Sequence, residues 1–373
     1  MQAPRNPASP WRNVDLTLLL STLGIALIGV VMVYSATRQK QETAGLDPAF
    51  FLKRQAVYLV LGLVALALVG LVDYRRIRDF VPLLYGGAAL ALLLVISPLG
   101  TSRRGTQAWF QLGGFQFQPS EVSKVVLILA LAAICAAARG SLDTTTLLSA
   151  LGLAFVPMAL IYIQPDLGTN MVFAAVVIAV LLVAGARPRH IAVLSLLGIT
   201  AIALVVELGM LQDYQRDRLT AFLDPQTDSQ RSSYNLRQSQ IAIAAGGVAG
   251  RGLFQGTQTN LSFVPEQHTD FIFTAVGEEL GLIGGMSLLG FFGVMVWRIW
   301  RAAVLARDQF GRLVCVGVLA MLVFQIFENV GMTMGITPIT GIPLPFMSYG
   351  GSAMIASFIG IGLVLNVHMR RFT

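Results

Sequence analysis

The sequence predicts an all-α integral membrane protein with about ten transmembrane helices and a large extracellular loop between the seventh and the eighth. Hydrophobic residues make up 55% of the 373 residues and charged residues only 12%, whereas soluble domains carry roughly 25% charged residues. The mean hydropathy is +0.72, and the apolar residues fall into runs of about 20, enough to cross a bilayer as a helix. This composition excludes disorder, secreted disulfide scaffolds and fibrous repeats.

Ten apolar runs are candidate spans. Membrane β-strands alternate apolar and polar residues, whereas these runs are apolar on every side, so they predict helices. We expect one polytopic domain over residues 1–373. In chain order the predicted spans are Leu16–Tyr34, Gln55–Val72, Phe80–Ser97, Glu121–Ala138, Leu147–Ile163, Leu167–Ala186, Ile191–Met210, Phe271–Ile299, Leu313–Met334 and Phe346–His368.

Basic residues predict that both termini are cytoplasmic, because short cytoplasmic loops are enriched in Lys and Arg. The opposite face has fewer basic residues in its short loops, namely Arg38, Lys40, Lys53, Arg54, Arg103 and Arg104. The cytoplasmic set is Arg5, Arg12, Arg75, Arg76, Arg78, Arg139, Arg187, Arg189, Arg298, Arg301, Arg307, Arg312, Arg370 and Arg371. These flanking positions account for the net charge of +7, so we expect no nucleic-acid partner.

Two external segments stand out. Gly100–Gln118 carries aromatic residues among glycines and glutamines, which is typical of an interfacial segment. The second segment, about 211–269, is long and rich in charge, and loops of this length are often functional. Within it, Ser233–Ala245 predicts a helix that ends at Gly246-Gly247 and that we expect to lie on the membrane surface.

Ionisable residues inside spans are costly and therefore indicate functional sites. Glu121 and Lys124 begin the fourth span at i, i+3 and share a helix face. They are equally consistent with a helix-end ion pair behind a Ser120 cap, with Lys124 reaching toward the interface. Asp166, between the fifth and sixth spans, is by itself better explained as a turn or cap residue.

The densest polar cluster runs from Pro265 to Asp270, directly before the eighth span. Asp270 or Thr269 could simply cap that helix, and His268 could be a surface or capping residue. Glu278, Glu279 and Glu328 are expected to be structural partners of polar groups on neighbouring helices. No metal-ligand spacing is present, and Cys135 and Cys315 are expected to be buried thiols.

Seven motifs in a fixed order resemble the SEDS family (shape, elongation, division and sporulation) over nearly the whole chain. Within the family the chain resembles the RodA-like elongation branch more than the division branch, because its tails are compact and Gly256-Thr257-Gln258 precedes the acidic cluster. The motifs are Gln118-Pro119-Ser120-Glu121 with Lys124, Gln164-Pro165-Asp166-Leu167-Gly168-Thr169, Tyr234 with Gln238-Ser239, Gly246-Gly247 with Gly250 and Gly252, Pro265-Glu266-Gln267-His268-Thr269-Asp270-Phe271, Glu278-Glu279-Leu280-Gly281, and Gly341-Ile342-Pro343-Leu344-Pro345-Phe346 followed by Ser348-Tyr349-Gly350-Gly351-Ser352.

The resemblance implies a peptidoglycan glycosyltransferase that polymerises lipid II during cell elongation, at the outer face of the bacterial cytoplasmic membrane. By the same resemblance, Asp270 corresponds to the catalytic aspartate and would act as general base. Lys124 and Arg218 would offset the charge of the lipid pyrophosphate. The full set of implied substrate-binding residues is Glu121, Lys124, Asp166, Arg218, Glu266 and His268.

The resemblance also implies partners: a class B penicillin-binding protein and other membrane proteins of the elongation complex. The penicillin-binding protein would pack its membrane helix near the eighth and ninth spans, where Gly284, Gly285 and Gly290 permit close approach. A divalent cation, Mg²⁺ or Mn²⁺, could assist at the pyrophosphate, although no dedicated metal ligands are evident.

Two alternatives stay open. A lipid II flippase would need a polar path through the whole bilayer with gates on both sides, whereas most polar candidates here lie at external helix ends. A scaffold without catalytic activity is disfavoured only weakly by the polar cleft.

Overall fold

The computed structural model describes residues 10–103, 106–138, 142–209, 215–218, 222 and 231–372. A short 3-10 helix, Pro10–Asn13, precedes the first long helix. The elements that follow are α1 (Leu16–Thr43), α2 (Phe50–Leu71), α3 (Tyr74–Ile96), β1 (Thr101–Arg103), β2 (Thr106–Leu112), β3 (Phe115–Phe117), α4 (Pro119–Ala137), α5 (Thr144–Ile163), α6 (Leu167–Val183), α7 (Pro188–Glu207), α8 (Arg231–Gly246), α9 (Thr257–Asn260), α10 (Ile272–Val304), α11 (Gln309–Met334) and α12 (Gly351–Met369).

The predicted fold class is confirmed: the chain is an all-α membrane protein. Eight of the described helices, α1–α5 and α10–α12, are long and apolar enough to cross a membrane, and α6 is an apolar helix of 17 residues. Each predicted span overlaps one of the helices α1–α7 and α10–α12. The predicted end of the seventh span, Met210, lies outside the described residues, as do 211–214, 219–221 and 223–230 of the external loop.

Several predicted boundaries are wrong. Helix α1 continues past Tyr34 to Thr43, and α2 and α3 begin at Phe50 and Tyr74 rather than at Gln55 and Phe80. The tenth span begins at Gly351 rather than at Phe346, because Phe346 has a φ of 65° and the residues before Gly351 form a loop. The eighth continues past Ile299 to Val304. A helix of that length exceeds a bilayer thickness, so part of α10 extends beyond the hydrocarbon layer.

The segment between α3 and α4 forms a small antiparallel sheet that the sequence reading did not foresee. Its strand order is β1-β2-β3, and Leu112 pairs with Phe115 across the two-residue turn Gly113-Gly114. Gly113 has a φ of 58°, which the turns of tight hairpins require and glycine adopts at little cost. A Gly-Gly pair between short runs rich in β-formers is a hairpin signal, so this sheet was detectable.

Helices α4 and α12 lie at the centre of the bundle and are mostly buried. Helix α12 packs along α2, α10 packs against α1 and α11, and α11 packs against α4 and α6. A Cβ at Gly317 would lie 2.5 Å from Ile128 of α4, and one at Gly29 would lie 2.7 Å from the backbone of Met347. Small residues at such crossings allow close packing, which drives helix association in lipid.

Helix α10 is interrupted at Gly281, whose φ of 65° and ψ of −162° are not helical. A break leaves backbone groups without their intrahelical partners, and in a membrane protein another part of the chain must supply new ones. Here the loop after α8 supplies them, through hydrogen bonds of 3.0–3.1 Å. The bonds are Arg251 N to Glu278 O, Gly252 N to Glu279 O, Leu282 N to Gly247 O, and Ile283 N to Val248 O.

The predicted helix in the external loop is confirmed as α8, and it packs closely on α10. Gly246 makes the approach possible, because a Cβ there would overlap the backbone of Gly277 and Glu278. Ser239 bonds the carbonyl of Thr333 at 2.8 Å and the hydroxyl of Thr274 at 2.7 Å. The external loop is therefore docked on α10 and α11, a contact that the prediction of a membrane-surface helix did not include.

We expect Gly281→Ala to lower the melting temperature of the purified protein by several degrees. A Cβ at Gly281 would lie 2.2 Å from Gly250 N, and a left-handed backbone costs an L-residue about 1 kcal/mol or more. Gly290→Ala is the matched control on the same helix, because a Cβ there meets nothing within 4 Å. Equal melting temperatures for the two variants would show that the break is not needed for folding.

Candidate active site

Asp270 ends the turn that leads into α10, but it does not cap that helix. The N-cap residue is Phe271, whose own side chain makes no capping hydrogen bond. The main chain of Asp270 is held instead by Asn329 of α11, a fully buried residue. Its Nδ2 donates to Asp270 O at 2.8 Å and to Ile342 O at 2.7 Å. The expectation that Asp270 or Thr269 occupies the N-cap position is therefore wrong.

Gly341 brings the Asp270 carboxylate and the Arg218 guanidinium to the same place. Asp270 Oδ2 and Arg218 Nη1 each lie 3.4 Å from the position that a Cβ at Gly341 would occupy. Gly341 has a φ of 77°, and Arg218 Nη1 donates to the neighbouring Thr340 O at 2.9 Å. Asp270, a possible base, and Arg218, a possible anion-binding cation, are far apart in the sequence. The fold thus brings both of them to Gly341, a residue without a side chain.

Asp166 lies beside the same segment, where it caps α6. Its Oδ1 accepts from Thr169 N at 3.0 Å and its Oδ2 from Thr169 Oγ1 at 2.7 Å. Gly168, in the first turn of α6, lies close to this segment, because a Cβ there would be 3.0 Å from Thr340 O and from Ile342 Cγ1. The structure supports the cap explanation and also places Asp166 next to the segment that contacts Asp270 and Arg218.

Glu121 and Lys124 form a buried ion pair at the start of α4. Their charged atoms are 2.8 Å apart, and the side chains are 5% and 2% exposed. Lys124 therefore does not reach toward the interface, and Ser120 does not cap α4, whose N-cap is Gln118. A buried charge of this kind is tolerated when it is paired, and the pairing already neutralises much of the Lys124 charge.

The start of α4 is connected to the turn that contains Asp270 through the start of α12. Gln118 N donates to Ser352 Oγ at 2.9 Å, and Tyr349 N donates to His268 O at 2.9 Å. The His268 ring packs against Phe51 and Tyr349 with ring centroids 5.0 and 5.7 Å apart. The surroundings of the ring are therefore aromatic, and the role of His268 in substrate binding stays a prediction.

Glu266 shapes the turn itself. It has a φ of 56°, and its carbonyl accepts from Thr269 N at 3.1 Å and Asp270 N at 3.2 Å. Of the predicted site residues, Asp270, Arg218, Asp166, Glu266 and His268 border one region. The Glu121–Lys124 pair is connected to that region only through intermediate residues.

Asn329 and Gly341 were absent from the predicted site. Gly341 was part of a quoted motif, but nothing local indicated that it faces Asp270. Asn329 follows Glu328 inside an apolar run, and two adjacent polar residues in a span are a functional signal. Of these two residues, only Glu328 was among the predicted polar partners.

The prediction for Glu278 and Glu279 as structural partners is confirmed. Glu279 accepts from Ser35 Oγ of α1 at 2.5 Å and from Phe254 N at 3.1 Å. Glu278 accepts from the backbone of Gln258 and Thr259 at the start of α9. Both carboxylates therefore hold the external loop against α10.

A dedicated metal centre does not fit these residues. Within the described part of the chain, no group of three or more His, Cys, Asp or Glu side chains could hold a metal ion. The carboxylate at Gly341 faces an arginine, which already supplies positive charge. The divalent cation stays a prediction that would rely on substrate phosphates as ligands.

The fold and the site define a multi-pass membrane protein with a polar site at the helix ends that face the β1–β3 sheet and the docked loop. The family model of the FtsW/RodA/SpoVE cell cycle proteins matches residues 16–372. The chain therefore belongs to this family, which is the SEDS family of the predicted resemblance.

Relatives match over almost the full chain. A probable peptidoglycan glycosyltransferase FtsW from Geobacter metallireducens is 38% identical, and the match covers 95% of each chain. The peptidoglycan glycosyltransferase MrdB from Escherichia coli K12 is 36% identical over 98% of this chain and 97% of its own.

Two solved structures share the fold. One is a chain of a peptidoglycan synthase complex that coordinates polymerisation and crosslinking, with a TM-score of 0.81 and 34% identity over 96% of this chain and 98% of that chain. The other is the rod shape determining protein RodA from Thermus thermophilus, with a TM-score of 0.71 and 32% identity over 96% and 98% of the two chains.

Proposed function

We propose that the chain is a peptidoglycan glycosyltransferase that polymerises lipid II, with Asp270 as the general base. The activity is supported by relatives of that name at 36–38% identity along nearly the whole chain. The observation that carries the assignment of the base is geometric. The Asp270 carboxylate and the Arg218 guanidinium both approach Gly341, at the turn that leads into α10.

The proposed reaction joins a sugar hydroxyl of one lipid II molecule to the anomeric carbon of another. Asp270 accepts the hydroxyl proton as the new C–O bond forms, and the bond between the anomeric carbon and the lipid pyrophosphate breaks. Displacement from the opposite face inverts the configuration at the anomeric carbon. The leaving pyrophosphate takes the bonding electrons and needs nearby positive charge.

Arg218 is the better placed of the two predicted cations. Its guanidinium lies next to Asp270 Oδ2 at Gly341, and its planar set of donors suits phosphate oxygens. Lys124 is buried against Glu121, so its charge is largely compensated before substrate arrives. We assign Arg218 to the pyrophosphate, and the Glu121–Lys124 pair to the shape and polarity of the region behind it.

A lipid II flippase is the alternative outcome. It would need a polar path through the bilayer. Glu278 and Glu279, two of the acidic residues inside spans, are held by loop residues and by Ser35. This use of the carboxylates favours the polymerase.

We expect Asp270→Asn to reduce lipid II polymerisation by about 10²-fold or more, because an amide cannot accept the proton. The melting temperature should not change, since Asn329 bonds the main-chain carbonyl of Asp270. Gel analysis of glycan strands made by the reconstituted protein measures the effect. Asp47→Asn, in an exposed loop and paired with Lys53, is the control. Polymerisation by Asp270→Asn at the parent rate would remove Asp270 as base, and lipid II translocation without polymer would favour the flippase.

We propose a bacterial cytoplasmic membrane location with both termini in the cytoplasm, which places the site on the outer face. The density of arginines on the opposite end of the bundle supports this orientation. Single cysteines at Gln111 in β2 and Arg307 after α10, with Cys135 and Cys315 replaced, should react differently with an impermeant thiol reagent. In intact cells, only the Gln111 position should be labelled. Labelling of the Arg307 position instead would reverse the topology.

We propose a class B penicillin-binding protein as partner, because a similar chain belongs to a complex of polymerisation and crosslinking. A lipid-facing groove of about 370 Å³ between α10 and α11 could receive its membrane helix. Of the predicted glycines, Gly284 and Gly285 face their own chain, because a Cβ at these positions would meet Leu280 and Phe273. A Cβ at Gly290 meets nothing within 4 Å, and the same is true of Gly293, which lines the groove.

We expect Gly293→Leu to weaken co-purification with the class B penicillin-binding protein of the same organism, because the side chain would fill the groove. Polymerisation by the isolated protein should be unchanged. Gly87→Leu on α3, where a Cβ also meets nothing within 4 Å, should leave co-purification intact. Equal recovery of the partner with both variants would exclude this groove.

The role in elongation, together with other membrane proteins of the elongation complex, is also a proposal. The likeness to RodA supports it, while division relatives have similar identity. Restoration of rod shape in cells depleted of their elongation polymerase would test it, and restoration of division alone would contradict it.

A further inference from the structure

The short helix α9 connects the break in α10 to the turn that contains Asp270. Its first residues bind the Glu278 carboxylate, which is fully buried. Glu278 Oε1 accepts from Gln258 N at 2.7 Å and from Thr257 Oγ1 at 3.3 Å. Glu278 Oε2 accepts from Thr259 N at 2.9 Å and from Thr259 Oγ1 at 2.7 Å. The carboxylate thus anchors α9 to a helix of the bundle.

The Thr259 hydroxyl makes a second contact, which the Thr257 hydroxyl does not. It accepts a hydrogen bond from Gln267 Nε2 at 2.9 Å. A hydroxyl has a single proton, and here that proton goes to Glu278, so the lone pairs of the oxygen face the amide. Thr259 and Gln267 are 2% and 3% exposed. Water therefore does not compete for these bonds.

Gln267 belongs to the turn that ends at Asp270. The main chain of this turn is also held by Tyr349 N at His268 O and by Asn329 Nδ2 at Asp270 O. Those two contacts come from α11 and from the segment before α12. The Gln267 contact comes from the external loop, so it fixes the turn from another side.

We propose that Thr259 is a positioning residue for the general base. Thr259 is bonded to the buried Glu278 carboxylate on one side and to Gln267 of the turn on the other. It thereby fixes the turn that carries Asp270, and with it the direction of the Asp270 carboxylate toward the acceptor hydroxyl. This inference rests on the proposed function. A misplacement of a reacting group by about 1 Å can cost about 10²-fold in rate, so loss of one directional contact should be measurable in turnover.

The test compares Thr259→Val, Thr259→Ser and Thr257→Val. Valine keeps the shape of threonine but removes the hydroxyl, serine keeps the hydroxyl, and Thr257→Val removes the other hydroxyl at Glu278. We expect Thr259→Val to lower kcat for lipid II polymerisation about tenfold, with KM within about twofold of the parent. Thr259→Ser should restore kcat, and Thr257→Val should match the parent. An equal loss in both valine variants would mean that only the general anchoring of α9 matters, which would overturn the proposal.

Gln267→Leu provides an independent route if Thr259→Val does not fold. It should show the same loss of kcat, and a kcat equal to that of the parent would overturn the proposal. Where Thr259→Val does fold, combining the two substitutions should cause little further loss, because both remove one contact. Additive losses would contradict a shared path.

Hydrogen exchange separates this inference from the proposed function. The amides of Thr269 and Asp270 should exchange faster in Thr259→Val than in Thr257→Val, whether or not lipid II is polymerised. If the parent protein forms no polymer, the proposed function fails, and the exchange rates still decide the link from Thr259 to the turn. Unchanged exchange at these two amides in Thr259→Val would overturn the link.

Discussion

The need to satisfy backbone hydrogen bonds at the break in α10 organises the external half of this molecule. At Gly281 the helix leaves carbonyl and amide groups without intrahelical partners, and in an apolar setting each would cost several kcal/mol. The loop after α8 supplies matching groups from Gly247 to Gly252. Because these bonds need close backbone approach, glycines occupy both sides of the contact. The docked loop is therefore part of the folded bundle.

The two glutamates before the break extend this docking with side chains. Glu279 joins α10 to Ser35 of α1, and Glu278 holds the start of α9. A buried carboxylate is expensive unless hydrogen bonds compensate it, and here each carboxylate has several donors. The consequence for the site is that the turn before α10 lies between this loop and α11. Asp270 is then presented by a constrained main chain, which Asn329 of α11 holds at the carbonyl oxygen.

The charged residues of the proposed polymerase differ in the partners that compensate their charges. Glu121 and Lys124 neutralise each other in a buried pair, and Asp166 is engaged by Thr169. Asp270 and Arg218 both approach Gly341, each within 3.4 Å of the position that a Cβ there would occupy. A base and a cation at one surface fit a reaction that removes a proton and releases a pyrophosphate. The Glu121–Lys124 pair and the Asp166 cap are suited instead to stabilising the structure around the site.

The sequence by itself determined the membrane helices, since apolar runs of sufficient length leave no other solution in lipid. Its ordered motifs also identified the family and most residues near the site. Tertiary structure decided which of those residues meet. Asn329 reaches Asp270 from α11, Gly341 faces Asp270 and Arg218, and the loop after α8 completes α10 at Gly281. These are contacts between segments far apart in the chain, and local periodicity carries no information about them. The role of each polar residue followed from the partner it found, because pairing decides whether a buried charge is spent on structure or remains for chemistry.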